Sequence, residues 1–239
     1  MDTRDWWDIQ WTTSLGCTRV TEGCRFCSAA SVAAYSPDLK DYARVEAGIP
    51  RWSGIVRPLA TSLMQPERWR KPYRVFVSPS SDLFHDKLPI DFVDQVVSTI
   101  DRSRTHTFGV LTKRSGRMRD YFDTRRVPPN LRIGVSVESP SEISRVEDLL
   151  AISGAGVRWV SVEPMLAHVP LGAYLGHDQV NWVTAGPELG DEMGYAIRPC
   201  RLEWMLSLRD ECVVESVPFF TKHLLYGQAY REQPDARLK

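Results

Sequence analysis

The sequence predicts an α/β protein organised as a parallel (β/α) barrel, partial or complete. Three observations predict it. From about residue 70 onward, short apolar, β-branched runs alternate with stretches of helical periodicity, the pattern of βαβ units. The runs are apolar on both faces, as buried parallel strands require. Each run also ends in polar side chains, and in a barrel those strand ends meet on the face where sites are built.

Taken in order, strands are expected over residues 8–13, 75–77, 108–111, 131–137, 157–162, 180–184 and 218–220. Helices are expected over 90–100, 141–152 and 201–214. The segment Ser139-Pro140-Ser141-Glu142 reads as a helix start, with Ser139 as cap and Pro and Glu in the first turn. The strand ends carry Ser78, Ser80 and Asp82, then Thr112 and Lys113, then Ser136 and Glu138. They continue with Ser161 and Glu163, Thr184 and Glu188, and finally Thr221, Lys222 and His223. Two of these ends share the form Val-Ser-Val-Glu, at 135–138 and 160–163. The segment 36–72, rich in Pro, Arg and Trp, does not fit the alternation and reads as an insertion or lid. Residues 1–239 read as one domain.

The bulk numbers set limits. The chain has 239 residues, enough for one α/β barrel with a substantial core. Thirty basic residues balance thirty acidic ones, so coating nucleic acid by overall charge is not expected. The N-terminal residues are acidic and aromatic rather than basic then apolar, unlike a signal peptide. No apolar run approaches the ~20 residues that cross a bilayer. A cytoplasmic protein without a membrane partner is expected (host cytoplasm if phage-encoded).

Three of the five cysteines lie within eleven residues, as Cys17-x6-Cys24-x2-Cys27, directly after the first expected strand. In a reducing compartment such clustering points to metal rather than disulfide. Three thiolates can hold three irons of a four-iron cube and leave the fourth open to a chelating ligand, whereas closed clusters use four. S-adenosylmethionine (SAM) is such a ligand, through its amino and carboxylate groups. Zinc is the other reading, but it wants a fourth ligand, and His85, His106 and His223 lack zinc-finger spacing to the cysteines. Unrelated thiols are a third. Cys200 and Cys212 are expected to lie elsewhere.

The segment from Cys17 to Cys27 resembles the opening of a bacterial and phage family of unknown function, DUF5131, related to radical SAM proteins. The resemblance continues through Phe76-Val77-Ser78-Pro79-Ser80-Ser81-Asp82-Leu83-Phe84-His85 and Val110-Leu111-Thr112-Lys113-Arg114. It runs on through 134–138, 158–164, 182–188 and 217–222 and covers most of the chain. Two features depart: the first cysteine gap is x6 where radical SAM proteins usually have x3, and Ser28 stands where the family tends to have Tyr.

The resemblance implies a barrel of the radical SAM type, with a [4Fe-4S] cluster on Cys17, Cys24 and Cys27 and SAM as second cofactor. An electron donor such as flavodoxin or ferredoxin follows as a partner. Phe26 would lean on the adenine, and Ser78, Ser80 or Asp82 would meet the SAM amino group. Asp82 reads equally as a helix cap. Ser136, Glu138, Ser161 and Glu163 are candidates for the ribose hydroxyls or the substrate, since carboxylates accept paired hydroxyl donors. Lys113, His85 and His223 are candidates to act on substrate, although a lone His is more often structural. The substrate class implied is a nucleotide or a base in phage DNA, to be isomerised or otherwise modified. The basic run Lys113, Arg114, Arg117, Arg119, Arg125 and Arg126 would grip phosphates, or form a solvated helix face. Two other functions compete: a zinc-binding nucleic-acid module without catalysis, and a barrel hydrolase using Glu138 and Glu163.

Overall fold

The computed structural model describes residues 6–189 and 197–222. The chain opens with β1 (Ile9–Trp11) and β2 (Ser14–Leu15), then the cysteine loop and α1 (Ser28–Tyr35). Next come a hairpin of β3 (Ala43–Glu46) and β4 (Ile49–Trp52), and a short β5 (Arg57–Pro58). The repeating part is β6 (Arg74–Val77), α2 (Ile90–Arg102), β7 (Thr107–Thr112), α3 (Ser115–Asp123), β8 (Leu131–Ser136) and α4 (Ser144–Leu150). It closes with β9 (Val157–Val162), β10 (Trp182–Ala185), α5 (Leu202–Val214) and β11 (Phe219–Thr221).

Seven strands form one sheet in the order β1-β6-β7-β8-β9-β10-β11. Every neighbouring pair is parallel. β1 and β11 are the two edges, so the sheet is a half-barrel with helices packed on its outside. This is the expected fold class in its partial form.

The two faces of the strands bury different chemistry. Outward residues such as Val75, Val110, Ile133, Val135, Val160 and Val183 join the apolar stripes of the helices in one core. In α2 that stripe is Phe92, Val93, Val96, Val97 and Ile100, spaced to share one helical face. Inward residues form a second, aromatic cluster: Trp6, Trp7, Trp159, Trp182 and Phe220, with Phe76 and Leu111 against it. Trp159 stacks on Trp182 at 4.8 Å between centroids, and Trp6 meets Trp159 edge-on at 4.9 Å. The segment before β1 thus plugs the inside of the half-barrel. Gly134 makes room for the plug, since an added Cβ would sit 2.8 Å from the Trp159 ring.

The strands fall where the sequence puts them, with small shifts at the ends. The expected strand at 180–184 starts at Trp182, because Val180 is held by a backbone bond to Tyr174 (3.0 Å). The helix expected over 141–152 begins as a 3-10 turn, Pro140–Glu142, before α4. Ser139 is not its side-chain cap: its hydroxyl bonds Ser141 and Glu142 instead. The segment 36–72 contains the β3–β4 hairpin and β5. Its hairpin packs on α1, and β5 pairs antiparallel with β2. Farther along, the Ser62 carbonyl accepts the Trp11 indole N–H (2.9 Å). Among the described residues no helix is long and apolar enough to cross a membrane.

Gly134→Val should lower the urea midpoint, costing about 1–3 kcal/mol through overpacking against Trp159. Gly156→Ala, where an added Cβ meets nothing within 4 Å, should leave the midpoint almost unchanged.

Candidate functional site

The cysteine loop begins at a forced backbone turn. Gly16 has φ +84°, and an added Cβ there would run into the Ile55 carbonyl. This geometry needs glycine twice over, for its dihedral and for the close approach. Opposite it, Ser78 ends β6 in the left-handed region (φ 54°), uncommon for a residue with a side chain. Its hydroxyl is fixed by Thr13, and Ser81 then bridges to Gly16. The ends of β1 and β6 are thereby locked together beneath Cys17.

Cys24 ends a 3-10 turn, Glu22–Cys24, that starts from Thr21. The Thr21 hydroxyl donates to Glu138 Oε1 (3.1 Å). Gly23 rests directly on the Glu138 carboxylate, and a Cβ at that position would collide with it. Cys27 immediately precedes α1, and its carbonyl accepts the Ser31 N–H (3.0 Å). All three thiols line one cavity of about 360 Å³ at the C-terminal ends of the strands. Cys212 is buried in the outer core, and Cys200 packs against that core.

Two buried carboxylates support this loop. Asp82 accepts from the Phe84 amide (2.9 Å), the Thr112 hydroxyl (2.7 Å), the Lys113 amide (3.3 Å) and Arg114 Nη1 (3.0 Å). Arg114 also donates to Cys17 Sγ (3.8 Å) and to the Thr18 hydroxyl (2.7 Å) and carbonyl (3.3 Å). Glu138 is 1% exposed and accepts from Lys113 Nζ (3.0 Å) and Arg145 Nη1 (2.9 Å). Burial alone would raise the Glu138 pKa, but the two cations outweigh it and hold the carboxyl below its ordinary value. Likewise burial opposes the Lys113 ammonium, but Glu138 outweighs it and keeps Lys113 above its usual pKa.

The thiols feel the same field. Burial, then Asp82, pushes Cys17 up to about 12, against the pull of Arg114. Burial also raises Cys27, opposed by the Ala30 amide and by Lys113. Cys17 and Cys27 sense each other's charge, as do Cys27 and Cys24. Cys17 and Cys27 would give up their protons to a bound metal.

Of the other expected site residues, Phe26, Ser78, Asp82, Lys113, Ser136 and Glu163 line the cavity. Ser80 stands half-buried in the turn after β6, outside that lining. Glu138 and Ser161 lie behind the wall, and the Ser161 hydroxyl is buried with no hydrogen-bond partner. Asp82 is engaged by four protein donors, among them the Phe84 amide of a turn; no helix begins there, since α2 starts at Ile90, so it is not the helix cap of the other reading. His85 is buried and outside the cavity: Nδ1 accepts the Lys87 amide (3.1 Å) and Nε2 meets the Thr18 hydroxyl (2.9 Å). Burial and Arg114 lower its pKa to about 4, so it is neutral at physiological pH and holds Thr18 in place. His223 lies outside the described residues.

The basic run divides. Arg114 lines the cavity, whereas Arg117 donates to the Leu88 carbonyl (2.6 Å) and to that of His85. Arg119 pairs with Asp148, Arg125 with Asp94 and Arg126 with Asp101. Only Arg114 of the arginines therefore sits at the site, because the others satisfy carboxylates and carbonyls of neighbouring elements.

Trp6, Trp7 and Trp52 line the cavity and escape sequence reasoning, the adjacent Trp6-Trp7 pair being the visible signal. Lys222, expected among the polar strand ends, lines the cavity too, pairs with Glu163 and lies 4.9 Å over the Trp6 ring. Beside the cavity Arg198, which no sequence signal marks, grips Glu188, donates to the Glu22 carbonyl (2.9 Å) and lies 5.8 Å from the Phe26 ring centroid.

Among the described residues no group of three His, Cys, Asp or Glu side chains could hold a single metal ion. The tetrahedral donor set of zinc is thus not assembled there. A four-iron cube differs, because Cys17, Cys24 and Cys27 would hold it without having to share one metal ion. Three thiols from one loop, opening on one cavity with cations beside them, fit that group by donor chemistry.

Fold and site together define a parallel half-barrel with a three-cysteine loop at the C-terminal face of its strands. Residues 2–236 match the family described as a protein of unknown function, DUF5131, and the chain belongs to that family. No curated protein matches it. Among solved structures it is similar to a cysteine-to-serine mutant of spore photoproduct lyase (TM-score 0.52, 12% identity). It is also similar to a double mutant of that lyase with bound AdoMet and dinucleoside spore photoproduct (TM-score 0.51, 12% identity). A cysteine-to-alanine mutant with the dinucleoside photoproduct gives TM-score 0.51 at 13% identity. Each match covers 90% of this chain and 76% of the other. At such identities the likeness is one of fold.

Breaking the buried Asp82–Arg114 pair should cost about 3–5 kcal/mol, so Asp82→Asn should show a strongly reduced denaturation midpoint. Gly23→Ala should act locally: circular dichroism unchanged, but less iron retained after anaerobic reconstitution, because the added methyl pushes Cys24 away from Glu138.

Proposed function

We propose that the chain is a radical SAM enzyme that carries a [4Fe-4S] cluster on Cys17, Cys24 and Cys27 and reductively cleaves SAM. One observation carries this reading: three thiols from a single loop face one cavity at the C-terminal end of a parallel half-barrel. The likeness in fold to a lyase with bound AdoMet supports it. Bound there, the cluster would supply the electron that splits the sulfonium of SAM and releases a 5′-deoxyadenosyl radical.

The chain's own residues do the rest. Gly16 and Gly23 bring the backbone close, and Asp82 and Glu138 fix the loop from below. Phe26 lines the cavity beside the cysteines and would meet the adenine. Ser78, in its left-handed turn, and Ser136 offer hydroxyls on the cavity wall for SAM or substrate. Lys113, Glu163 and Lys222 are among the charged groups that line the cavity. The plug of Trp6, Trp7 and Phe76 keeps water out from below, which a radical reaction requires.

The substrate in this reading is planar and polar, with a nucleotide or a base in DNA as the class. Aromatic side chains line the cavity, and Lys222 with Glu163 supplies one donor and one acceptor there. A base in duplex DNA would have to leave the stack to reach this depth. A flavodoxin or ferredoxin is the electron donor proposed.

The test is anaerobic reconstitution with iron and sulfide. The wild-type chain should turn brown, bind about four irons, and release 5′-deoxyadenosine from SAM under reduction. Cys24→Ala should lose the colour and the cleavage yet unfold cooperatively, and Cys200→Ala should keep both activities. A chain that takes up one zinc and no iron would overturn the proposal.

A further inference from the structure

Lys113 and Arg114 are neighbours in sequence at the end of β7, yet their side chains reach different cysteines. Arg114 is 9% exposed and donates to Cys17 Sγ (3.8 Å). Lys113 lines the same cavity and is within electrostatic reach of Cys24 and Cys27. Lys113 lies in the bend after β7 and Arg114 directly precedes α3, so one dipeptide at the strand end reaches both parts of the loop.

Each cation is also held in place by a buried carboxylate, Arg114 by Asp82 and Lys113 by Glu138 (both 3.0 Å). Arg145 adds a second cation on Glu138 (2.9 Å). In this network three cations, Lys113, Arg114 and Arg145, meet the two buried carboxylates Asp82 and Glu138, while the same cavity also carries the Glu163–Lys222 pair and Glu188, which Arg198 pairs. Asp86 also approaches Arg114 (3.5 Å), but it is 75% exposed and screened by solvent.

We infer that Lys113 and Arg114 are positioning residues that set the reduction potential of the cluster by holding fixed positive charge against its thiolates. The inference rests on the reading of these cysteines as cluster ligands. Reduction moves one electron from an external low-potential donor onto the cluster and adds one negative charge at the cysteines. Cluster potentials respond to net charge, to hydrogen bonds on sulfur and to solvent exposure. Lys113 and Arg114 supply the first, Arg114 also the second. Their carboxylate partners keep them from swinging to water, so their charge acts without reorganisation.

The charges make a prediction with opposite signs. Lys113→Met removes a cation while Arg145 keeps Glu138 ionised. Glu138→Gln removes an anion and keeps the shape. At fixed solution potential, Lys113→Met should lower the reduced-to-oxidised ratio of the cluster about tenfold, equivalent to about 59 mV for one electron. Glu138→Gln should raise that ratio, and Lys113→Arg should stay near wild type.

The measurement is a redox titration of the reconstituted protein, followed by the paramagnetic signal of the reduced cluster, without SAM. Shifts of opposite sign support the inference. Shifts of the same sign, as mere loosening and wetting of the loop would give, overturn it, as do unchanged potentials. Should Lys113→Met fail to load, Glu138→Gln decides by its sign: a rise supports the inference and no rise overturns it. A wild-type chain that takes up no cluster overturns the reading of the cysteines, and the inference with it. A loaded wild type with unshifted variants overturns the inference alone.

Discussion

Two buried carboxylates govern the arrangement of this protein's cysteine loop. Asp82 and Glu138 lie behind strand ends, and each is met by side chains or amides from other elements. A charge buried in such a place is costly unless an opposite charge meets it. The two pairs thus require each other, and the loop is fastened to both. Thr18 and Cys17 hang on Arg114; Thr21 and Gly23 rest on Glu138. Residues far apart in sequence thereby become one rigid rim around the cavity.

Beneath that rim the half-barrel solves a different problem. An open sheet leaves its concave face exposed to water, and small side chains alone would not fill it. The chain fills it with tryptophan. Trp159 and Trp182 come from adjacent strands in register, while Trp6 arrives from the segment before β1. Glycine at 134 and serine or threonine at 136, 161 and 184 give way beside these rings. Trp159 is tied further by its indole N–H to the Thr184 hydroxyl (2.9 Å). The result is a hard aromatic floor under a charged rim, so a molecule entering the cavity meets apolar surface below and ions at the sides.

Much of this was legible in the sequence, and what was not has a physical reason. Parallel strands buried on both faces leave a strong, local signal, and the seven strands were placed from it. The cysteine spacing was likewise local. The polar strand ends were legible as a set but not by role. Glu138 and Glu163 share the form Val-Ser-Val-Glu, yet one is sealed behind the wall by Arg145 and the other faces the cavity with Lys222. Which carboxylate is sealed depends on a cation elsewhere in the chain. For the same reason Asp82 read equally as ligand or cap, and His85 as a candidate actor rather than a brace for Thr18. Such distinctions are made by partners distant in sequence, and pattern reading cannot see them.

The basic run shows how far charge in sequence can stand from charge in space. A run of cations along one segment reads as a stripe that phosphates would follow. In the folded chain Arg119 on α3 meets Asp148 on α4, and Arg125 and Arg126, in the segment after α3, meet Asp94 and Asp101 on α2. These three arginines are therefore spent on neighbouring helices, and exposed pairs of this kind add little attraction for a distant polyanion. Arg114 alone turns inward, where Asp82 fixes it against the cysteines. The neutral overall charge and the internal pairing agree. Within this run little cationic surface is left, so a nucleic-acid substrate of the kind proposed would be selected by the depth and aromatic floor of the cavity rather than drawn in by these arginines. Binding would then vary with the state of the base, stacked or free, far more than with salt.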